Sequence, residues 1–405
     1  MPADKFDTEF VRLLWSDLHG VARGKDVFAS AFDPAMEVHF CRALLLTDLG
    51  ANPLPGGETD GAGWPDTVAR PTGVTVEHEN VTLCVAELED DELSPRTILR
   101  AQVARYDTPP LVGPELEFTV FKDGRLYQER DTAGYVVGVA NDPVGLLHPV
   151  LRACRPLGAY GGNQEFGGGQ YEVNLAHAPA VTAADRVFLA KYLVKEVAAA
   201  RGLHATFMGR PLDGRAGNGF HLHISLDGFD DPKARHGLSR TALSFVAGVL
   251  AHAPALSAVL NPTVNAYKRL GFGLAPISAY WGLDNRGAYV RVPPERGSAT
   301  RLEVRVGDGA ANPYLAVAAV LAAGSDGMER ELVAPEPVAT DRIDGGPPLP
   351  ESLGEALAAF EQDKVLTERL GEGFVDAFVR LKRQELDRFT RAVTDWEFRE
   401  YAWLL

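Results

Sequence analysis

The 405-residue chain has few cysteines and no apolar run long enough to cross a bilayer. The three cysteines, Cys41, Cys84 and Cys154, are far apart and lack the spacing of a metal site, which predicts reduced thiols. The longest apolar run, 315–323, is too short to span a membrane. The first residues also lack a basic segment followed by an apolar stretch, the mark of a secretory signal. We therefore expect a cytoplasmic protein with no membrane partner.

An excess of positive charge is missing as well. Asp and Glu number 55 against 40 Lys and Arg, a formal net charge of −15, and no basic stripe is present. Nucleic acids are bound mainly through clustered Lys and Arg, so we expect no nucleic-acid partner. The length is in the range of two domains. Short strands and turns fill residues 1–100, and strands alternate with helices over 101–405, which predicts an α+β protein with a boundary near residue 100.

Glycine loops that bind phosphate, whether of the P-loop type or Gly-x-Gly-x-x-Gly after a strand, are also absent. Polar residues instead occupy one face of four predicted strands, because side chains two apart on a strand share a face. The four polar faces are Glu115, Glu117 and Thr119; Gln170, Glu172 and Asn174; His221, His223 and Ser225; and Arg301, Glu303 and Arg305. One such strand alone is typical of a half-solvated antiparallel sheet.

The residue types on these faces favour a metal-binding and phosphate-binding role over simple exposure to solvent. Two carboxylates two residues apart, such as Glu115 and Glu117, repel each other unless a cation lies between them. Glutamates with one imidazole suit Mg²⁺ or Mn²⁺ better than zinc, and arginines suit phosphate oxygens. Metal and arginine together are typical of phosphoryl transfer, which predicts such a site provided that the four strands converge.

Taken in chain order, these segments resemble the glutamine synthetase family. The resemblance includes Gly113-Pro114-Glu115-Leu116-Glu117-Phe118 and continues through 164–172, 217–226, 265–270, 284–293 and 301–315. It reaches towards both termini, from Asp17 with 23–25 to 394–397, and so covers nearly the whole chain. The short interval between Glu165 and Glu172 is similar to the branch that contains γ-glutamylpolyamine synthetases.

The resemblance implies a fold, an assembly and cofactors. The expected fold is an N-terminal β-grasp domain followed by a catalytic domain with an antiparallel sheet flanked by helices. Members of the family form rings, so we expect a homo-oligomer, with a dodecamer as one form, and active sites between neighbouring subunits. The expected cofactors are ATP and Mg²⁺ or Mn²⁺.

The resemblance also implies roles for individual residues. One metal, beside the acceptor carboxylate, would be held by Glu117, Glu165 and Glu172. A second metal, beside the ATP phosphates, would be held by Glu115, His221 and Glu303. The nucleotide would be bound by His223, Ser225, Arg286, Arg291 and Arg301, with Arg286 also counted as catalytic. The amino-acid substrate would be bound by Gly217, Arg269 and Arg305. Asp17 would reach into a neighbouring subunit and deprotonate the incoming amine.

The match breaks on the amine side of the expected site. Leu274 stands just before Ala275-Pro276, where glutamine synthetases carry a glutamate that closes over ammonium. Ala216 replaces an asparagine, Ser298 a lysine and Arg210 a lysine. These changes favour an ATP-dependent ligase that makes a γ-glutamyl amide from glutamate and an organic amine through an acyl phosphate. The alternatives are a glutamine synthetase that uses ammonia and a non-catalytic structural or regulatory member of the family.

Overall fold

The computed structural model describes residues 6–55, 63, 65–88, 91–130, 134–339 and 344–405. Two sheets and ten α-helices make up this part of the chain. The strands are β1 Phe10–Ser16, β2 Ala22–Phe28, β3 Val38–Cys41, β4 Asp66–His78, β5 Val81–Leu88, β6 Leu111–Lys122, β7 Arg125–Leu126, β8 Ala159–Gln164, β9 Gln170–Leu175, β10 Ala178–Pro179, β11 His204–Thr206, β12 Phe220–Ser225, β13 Trp281–Leu283, β14 Val290–Val292 and β15 Leu302–Val304. The helices are α1 Pro95–Val103, α2 Leu147–Cys154, α3 Ala180–Ala199, α4 Arg240–Ala251, α5 Ala253–Leu260, α6 Pro313–Glu329, α7 Leu353–Gln362, α8 Lys364–Leu370, α9 Glu372–Arg391 and α10 Asp395–Tyr401.

The N-terminal sheet has the strand order β2-β1-β5-β4-β3. Strands β1 and β5 are parallel and the other neighbours are antiparallel. Its buried side chains, among them Val11, Leu13 and Val85, form one face of the domain core. This mixed sheet is the β-grasp domain that the resemblance implied, which confirms that part of the expected fold.

The second sheet has the order β13-β14-β15-β12-β6-β9-β8, with β6 near its middle. All of these neighbours pair antiparallel except β13 and β14, which are parallel. The expected antiparallel sheet is therefore confirmed apart from this one short pair. Strand β6 also pairs at its ends with β7, β10 and β11, which extends the sheet on both sides.

One face of this sheet is covered by helices. Leu116, Phe118 and Val120 of β6 and Tyr171 and Val173 of β9 are fully buried on that face. Helix α3 packs against β6, and α6 packs against α1, α3, α4 and α8. Because side chains alternate along a strand, the residues between these apolar ones must point to the opposite face. The core thus fixes which side of the sheet carries the polar residues.

Helix α6 is apolar on all sides, as expected of a helix inside a protein core. Asn312 caps its N-terminus through the Tyr314 and Leu315 amides, and its side-chain amide donates to Ser16 Oγ and to the Asp17 carbonyl. These bonds attach the N-terminal sheet to helix α6. The boundary near residue 100 falls within α1 and stays a prediction.

Within the described ranges, no single helix combines the length and apolarity needed to cross a membrane. Helices α4 and α5 reach that length and apolarity only when taken together, and they are bent by 74° at their junction.

Candidate active site

Strand β6 brings three of the four predicted polar faces together, its own and those of β9 and β12. It lies between β12 and β9, and its register places Glu115 opposite His221 and Glu117 opposite Glu172. Glu115 Oε2 is 3.2 Å from His221 Nδ1, and the Gly219 amide donates to Glu117 Oε2 at 2.7 Å. The predicted convergence of these strands is therefore present in the fold.

Strand β12 joins the remaining face to the same site. Its register with β15 places His223 opposite Glu303, and β14 adds Arg291 on the other side of Glu303. His223 Nε2 is 3.0 Å from Glu115 Oε1, so the Glu115 carboxylate lies between two imidazoles, those of His221 and His223.

A cavity of about 920 Å³ lies over this polar face. All of the predicted site residues except Asp17 and Ser225 line it. The sequence-predicted residues at the cavity are Glu115, Glu117, Glu165, Glu172, Gly217, His221, His223, Arg269, Arg286, Arg291, Arg301, Glu303 and Arg305.

Two groups of side chains in the described part of the chain are close enough to hold a metal ion. In each group the candidate ligand atoms lie within 4.8 Å of one another. The first contains Glu115, Glu172 and His221, and the second contains Glu115, His223 and Glu303. Glu115 belongs to both, and His223, expected along the nucleotide, belongs to the second. The division of ligands between two metals that the resemblance implied stays a prediction.

The electrostatics of the carboxylates fit a cation. Burial raises the pKa of Glu172 to about 9, and the neighbouring Glu115 and Glu117 add to this. Burial also raises the pKa of Glu165 to about 7, with Glu117 as the next cause. Buried carboxylates that repel one another stay partly protonated at neutral pH unless positive charge is supplied. The donor set of carboxylate oxygens and imidazole therefore fits a divalent cation such as Mg²⁺ or Mn²⁺.

Glu303 has the opposite environment. Burial alone would raise its pKa, but the Arg305 guanidinium and the nearby imidazoles of His223 and His221 outweigh burial and hold the pKa at about 2. Arg305 Nη1 donates to Glu303 Oε1, and Arg291 Nη1 donates to Oε2 at 2.6 Å. Arg291 and Arg305, two of the five predicted ligand-binding arginines, are thus oriented by a carboxylate that is itself a predicted metal ligand.

The side of the cavity lined by Arg269 and Gly217 is tightly packed. Arg269 is buried and donates from Nη1 to the Val306 carbonyl at 3.0 Å. A Cβ at Gly217 would lie 2.2 Å from the Gly209 carbonyl oxygen and 3.0 Å from Arg269 Cγ, so only glycine fits at this position. Because Gly217 has no side chain, the Gly209 carbonyl and the Arg269 side chain can both pack against its backbone.

Gln170 links the two sides of the site. Its Nε2 donates to Glu117 Oε2 at 3.0 Å and to the Gly217 carbonyl at 2.9 Å. Sequence alternation placed Gln170 on the polar face, but gave it no role. The structure shows that it connects a predicted metal ligand to the predicted substrate-binding backbone.

Several cavity residues were missed by the sequence reasoning. Asn163 donates to Glu165 Oε1 at 2.7 Å, and Tyr135, Tyr160 and Phe166 line the cavity. Asn163, on β8, lies opposite Glu172 of β9, and only the strand register reveals this position. Tyr135 has a positive φ of 55° in an irregular segment, so no periodic pattern points to it.

Two predicted residues do not line the cavity. The Ser225 hydroxyl donates to the Thr300 carbonyl at 2.8 Å. The Asp17 carboxylate is buried beneath its own turn, where the His19 and Val21 amides and Arg23 Nε each donate to it at 2.9 Å. Burial raises the pKa of Asp17. In a single chain Asp17 closes a turn, and its reach into a neighbouring subunit stays a prediction.

Comparison with known proteins agrees with this arrangement. The family model for the glutamine synthetase catalytic domain matches residues 92–401. The chain is 36% identical over 442 residues to the glutamine synthetase of Pyrococcus horikoshii, covering 98% of this chain and 96% of that one. It is 35% identical over 428 residues to the glutamine synthetase of Thermus thermophilus, covering 98% and 96%.

Solved structures are also similar over the whole length. A GmaS/ADP complex superposes with a TM-score of 0.86 at 32% identity, covering 98% of this chain and 97% of that chain. A structure described as a novel glutamine synthase homolog gives a TM-score of 0.83 at 28% identity, with 99% of both chains covered.

Proposed function

This chain belongs to the glutamine synthetase family of ligases, which form carbon–nitrogen bonds, and we propose that it joins glutamate to an organic amine. The family uses ATP and a divalent metal. The proposed reaction passes through an acyl phosphate and yields a γ-glutamyl amide, ADP and phosphate. We further propose that the protein works in the cytoplasm as a homo-oligomeric ring.

The flap over the cavity is the observation that supports an organic amine as the second substrate. Residues 270–276 contain no acidic side chain, and Phe272 and Leu274 line the cavity. These two side chains are 37% and 43% exposed, so their apolar surface is available to a ligand. An ammonium ion has no carbon surface to cover them, whereas the alkyl or aryl group of an amine would remove that surface from water.

The cavity wall also carries aromatic and acidic side chains. Tyr135 and Phe166 are largely exposed and line the same cavity as Glu165. Aromatic faces attract organic cations, and a carboxylate attracts the protonated amine. This combination supports a cationic amine with a carbon substituent as the second substrate.

The chain's own residues support the first step, activation of the carboxylate. We propose that Arg269 and Arg305 orient glutamate, and that Arg286, Arg291 and Arg301 neutralise the phosphates of ATP. A γ-carboxylate oxygen then attacks the terminal phosphorus, the bond to ADP breaks, and an acyl phosphate results. Divalent cations held by Glu117, Glu165 and Glu172 and by Glu115, His221 and Glu303 would supply further positive charge.

The second step forms the amide. The neutral amine nitrogen attacks the acyl carbonyl carbon, the carbon–oxygen bond to phosphate breaks, and the nitrogen loses a proton to a base, the role predicted for Asp17 reaching in from a neighbouring subunit. The flap covers the place from which the amine approaches. A flap that excludes water favours the amine over water as the nucleophile.

Ammonia is the second candidate. The curated relatives at 35–36% identity are named glutamine synthetase, and this observation favours ammonia as the nitrogen source. Such an enzyme would form the same acyl phosphate, and the flap would cover ammonia instead of an organic amine.

The test is an ADP-release screen with Mg²⁺ and ATP that crosses glutamate and related acids with ammonium and a panel of alkyl, aryl and diamine compounds. We expect at least one organic amine to give a higher kcat/KM than ammonium, with the amide identified by mass spectrometry. Glu117→Ala serves as the inactive control. If ammonium gives a higher kcat/KM than every amine, the organic-amine assignment is wrong. If no pair of acid and amine releases ADP, the ligase assignment is wrong as well.

A further inference from the structure

The flap rests on a side chain that lies outside it. The guanidinium carbon of Arg210 is 4.2 Å from the centroid of the Phe272 ring, a distance at which the cation lies on the aromatic face. Phe272 lines the cavity, whereas Arg210 is not among the lining residues. Arg210 therefore contacts the flap from behind.

Arg210 is itself held in place by the segment that precedes the flap. Its backbone N–H donates to Asn265 Oδ1 at 2.8 Å, and Asn265 Nδ2 donates back to the Arg210 carbonyl at 2.9 Å. Arg210 Nη1 donates to the Lys268 carbonyl at 2.8 Å. The guanidinium edge thus donates to the Lys268 carbonyl and forms an ion pair with Asp213 at 3.6 Å, while its face stacks on Phe272.

Other contacts hold the base of the flap rather than its tip: Leu270 packs against the core and Ala275 and Pro276 are buried, whereas 271–274 is exposed. Gly271 and Gly273, on either side of Phe272, have φ values of 81° and 63°, a region that glycine adopts without strain. A Cβ at Gly273 would meet no atom within 4 Å, so the backbone there is loosely packed. The turn is closed by the Gly271 amide to the Ala275 carbonyl at 3.1 Å and the Phe272 amide to the Arg269 carbonyl at 3.0 Å.

We propose that the stack of Arg210 on Phe272 is a latch that sets the closed position of the flap and thereby selects the amine. This inference rests on the proposed function, since it concerns the same cavity. With the latch in place, the apolar side of Phe272 faces the amine and the flap excludes water. Arg210 acts through Phe272 and is a positioning residue.

The chemical consequence concerns which nucleophile reaches the acyl phosphate. If the flap opens, a water oxygen attacks the acyl carbonyl, the bond to phosphate breaks, and glutamate is regenerated after loss of a proton. ATP is then converted to ADP and phosphate without amide. A latch therefore predicts a change in the coupling between ADP release and amide formation.

The test measures ADP and amide in parallel for wild type, Arg210→Lys, Arg210→Ala and Phe272→Tyr. Lysine keeps the charge but loses the planar face, and tyrosine keeps the ring. We expect both Arg210 variants to raise the KM for the amine by about threefold to tenfold, the range of one cation–π contact, with the KM for ATP within about twofold. We also expect them to release ADP in excess over amide, whereas Phe272→Tyr keeps the wild-type ratio.

The matched control is Arg240→Lys. Arg240, at the start of α4, forms an exposed ion pair with Glu331, which follows α6, and neither residue lines the cavity. Its replacement is expected to leave the amine KM and the coupling unchanged. If Arg210→Lys and Arg210→Ala also keep both quantities at the wild-type value, the latch is wrong.

Hydrogen exchange tests the latch separately from the choice of amine. We expect faster exchange of the peptide that covers 270–276 in Arg210→Ala than in wild type, with unchanged exchange in α6. Equal exchange of that peptide in the two proteins would overturn the latch. Absence of ADP release by the wild type with every acid and amine would instead overturn the proposed function, and the exchange result would still decide the latch.

Discussion

Glu117 on β6 and Glu172 on β9 lie directly opposite each other, and both side chains are buried. Two facing carboxylates destabilise a sheet unless a cation or a proton lies between them. The raised pKa of Glu172, due to burial and then to Glu115 and Glu117, is the sign of that repulsion. This pair is the strongest indication in the structure that the site is built around positive charge.

The first prediction concerns metal and stability. Glu172→Gln removes one buried carboxylate, so without metal the variant is expected to be at least as stable as wild type. Saturating Mg²⁺ at about a hundred times its Kd stabilises wild type by about 2.7 kcal/mol, and we expect a much smaller gain in the variant. Thermal unfolding with and without Mg²⁺ measures both, with Glu336→Gln, at an exposed ion pair, as the control. An equal metal effect in wild type and Glu172→Gln would contradict the assignment.

The second prediction concerns Gln170. Its amide joins Glu117 to the Gly217 carbonyl, so Gln170→Ala leaves a buried carboxylate and a carbonyl without this donor. The expected result is a loss of roughly tenfold in kcat/KM for glutamate, the cost of leaving such groups unsatisfied. Steady-state kinetics with glutamate as the varied substrate provides the measurement. An unchanged kcat/KM would show that the bridge is dispensable.

The third prediction returns a carboxylate to the flap. Leu274 lines the cavity, and glutamate at this position would place a negative charge beside the incoming amine. We expect Leu274→Glu to raise the ratio of ammonium use to organic-amine use by roughly tenfold, about the value of one charge-assisted hydrogen bond. Leu274→Gln is the matched control, since it adds polarity without charge. If both variants behave alike, charge at this position does not choose the nitrogen source.

The fourth prediction concerns stability against pH. His252 Nδ1 is 2.6 Å from Asp363 Oδ2 and its Nε2 is 3.0 Å from Asp326 Oδ2, while Arg330 and Arg369 also pair with Asp326. Burial lowers the pKa of His252, but the two aspartates outweigh burial and raise it above the ordinary value.

A raised histidine pKa in the folded state stabilises the protein fully below the unfolded value of about 6.5, and this contribution is lost as the pH rises through the folded value. Removing one partner of a buried charge pair costs about 3 kcal/mol, so His252→Gln is expected to be destabilised by about that amount near pH 6. The difference in unfolding free energy from wild type should shrink as the pH rises through the raised pKa of His252 in the folded state, where the wild-type side chain loses its proton. Denaturant unfolding at pH 6 and over a series of higher pH values is the check, and a difference that grows with pH would contradict this account.

Much of the site could be predicted because alternation along a strand is a local property. The buried partners of the polar residues, such as Leu116 and Phe118 beside Glu117, confirm which face of β6 points to the cavity. The family resemblance then added Glu165 and Arg286, which lie in irregular segments and carry no periodic signal of their own.

Other features depend on how the chain folds back on itself. The sequence does not show that Asn163 lies opposite Glu172, because that contact depends on the pairing of β8 with β9. The stack of Arg210 on Phe272 joins residues more than sixty positions apart, and nothing in either segment predicts it. Burial of Asp17 follows from the turn that its own carboxylate closes, which only the three-dimensional arrangement of His19, Val21 and Arg23 reveals.

The most direct measurement of the central claim is a competition between nitrogen sources. Wild-type enzyme is given Mg²⁺, ATP, isotope-labelled glutamate and equal concentrations of ammonium and one organic amine, and the labelled products are quantified by mass spectrometry across the amine panel. The account predicts that the γ-glutamyl amide exceeds glutamine for at least one amine. Glutamine as the main product with every amine would contradict it.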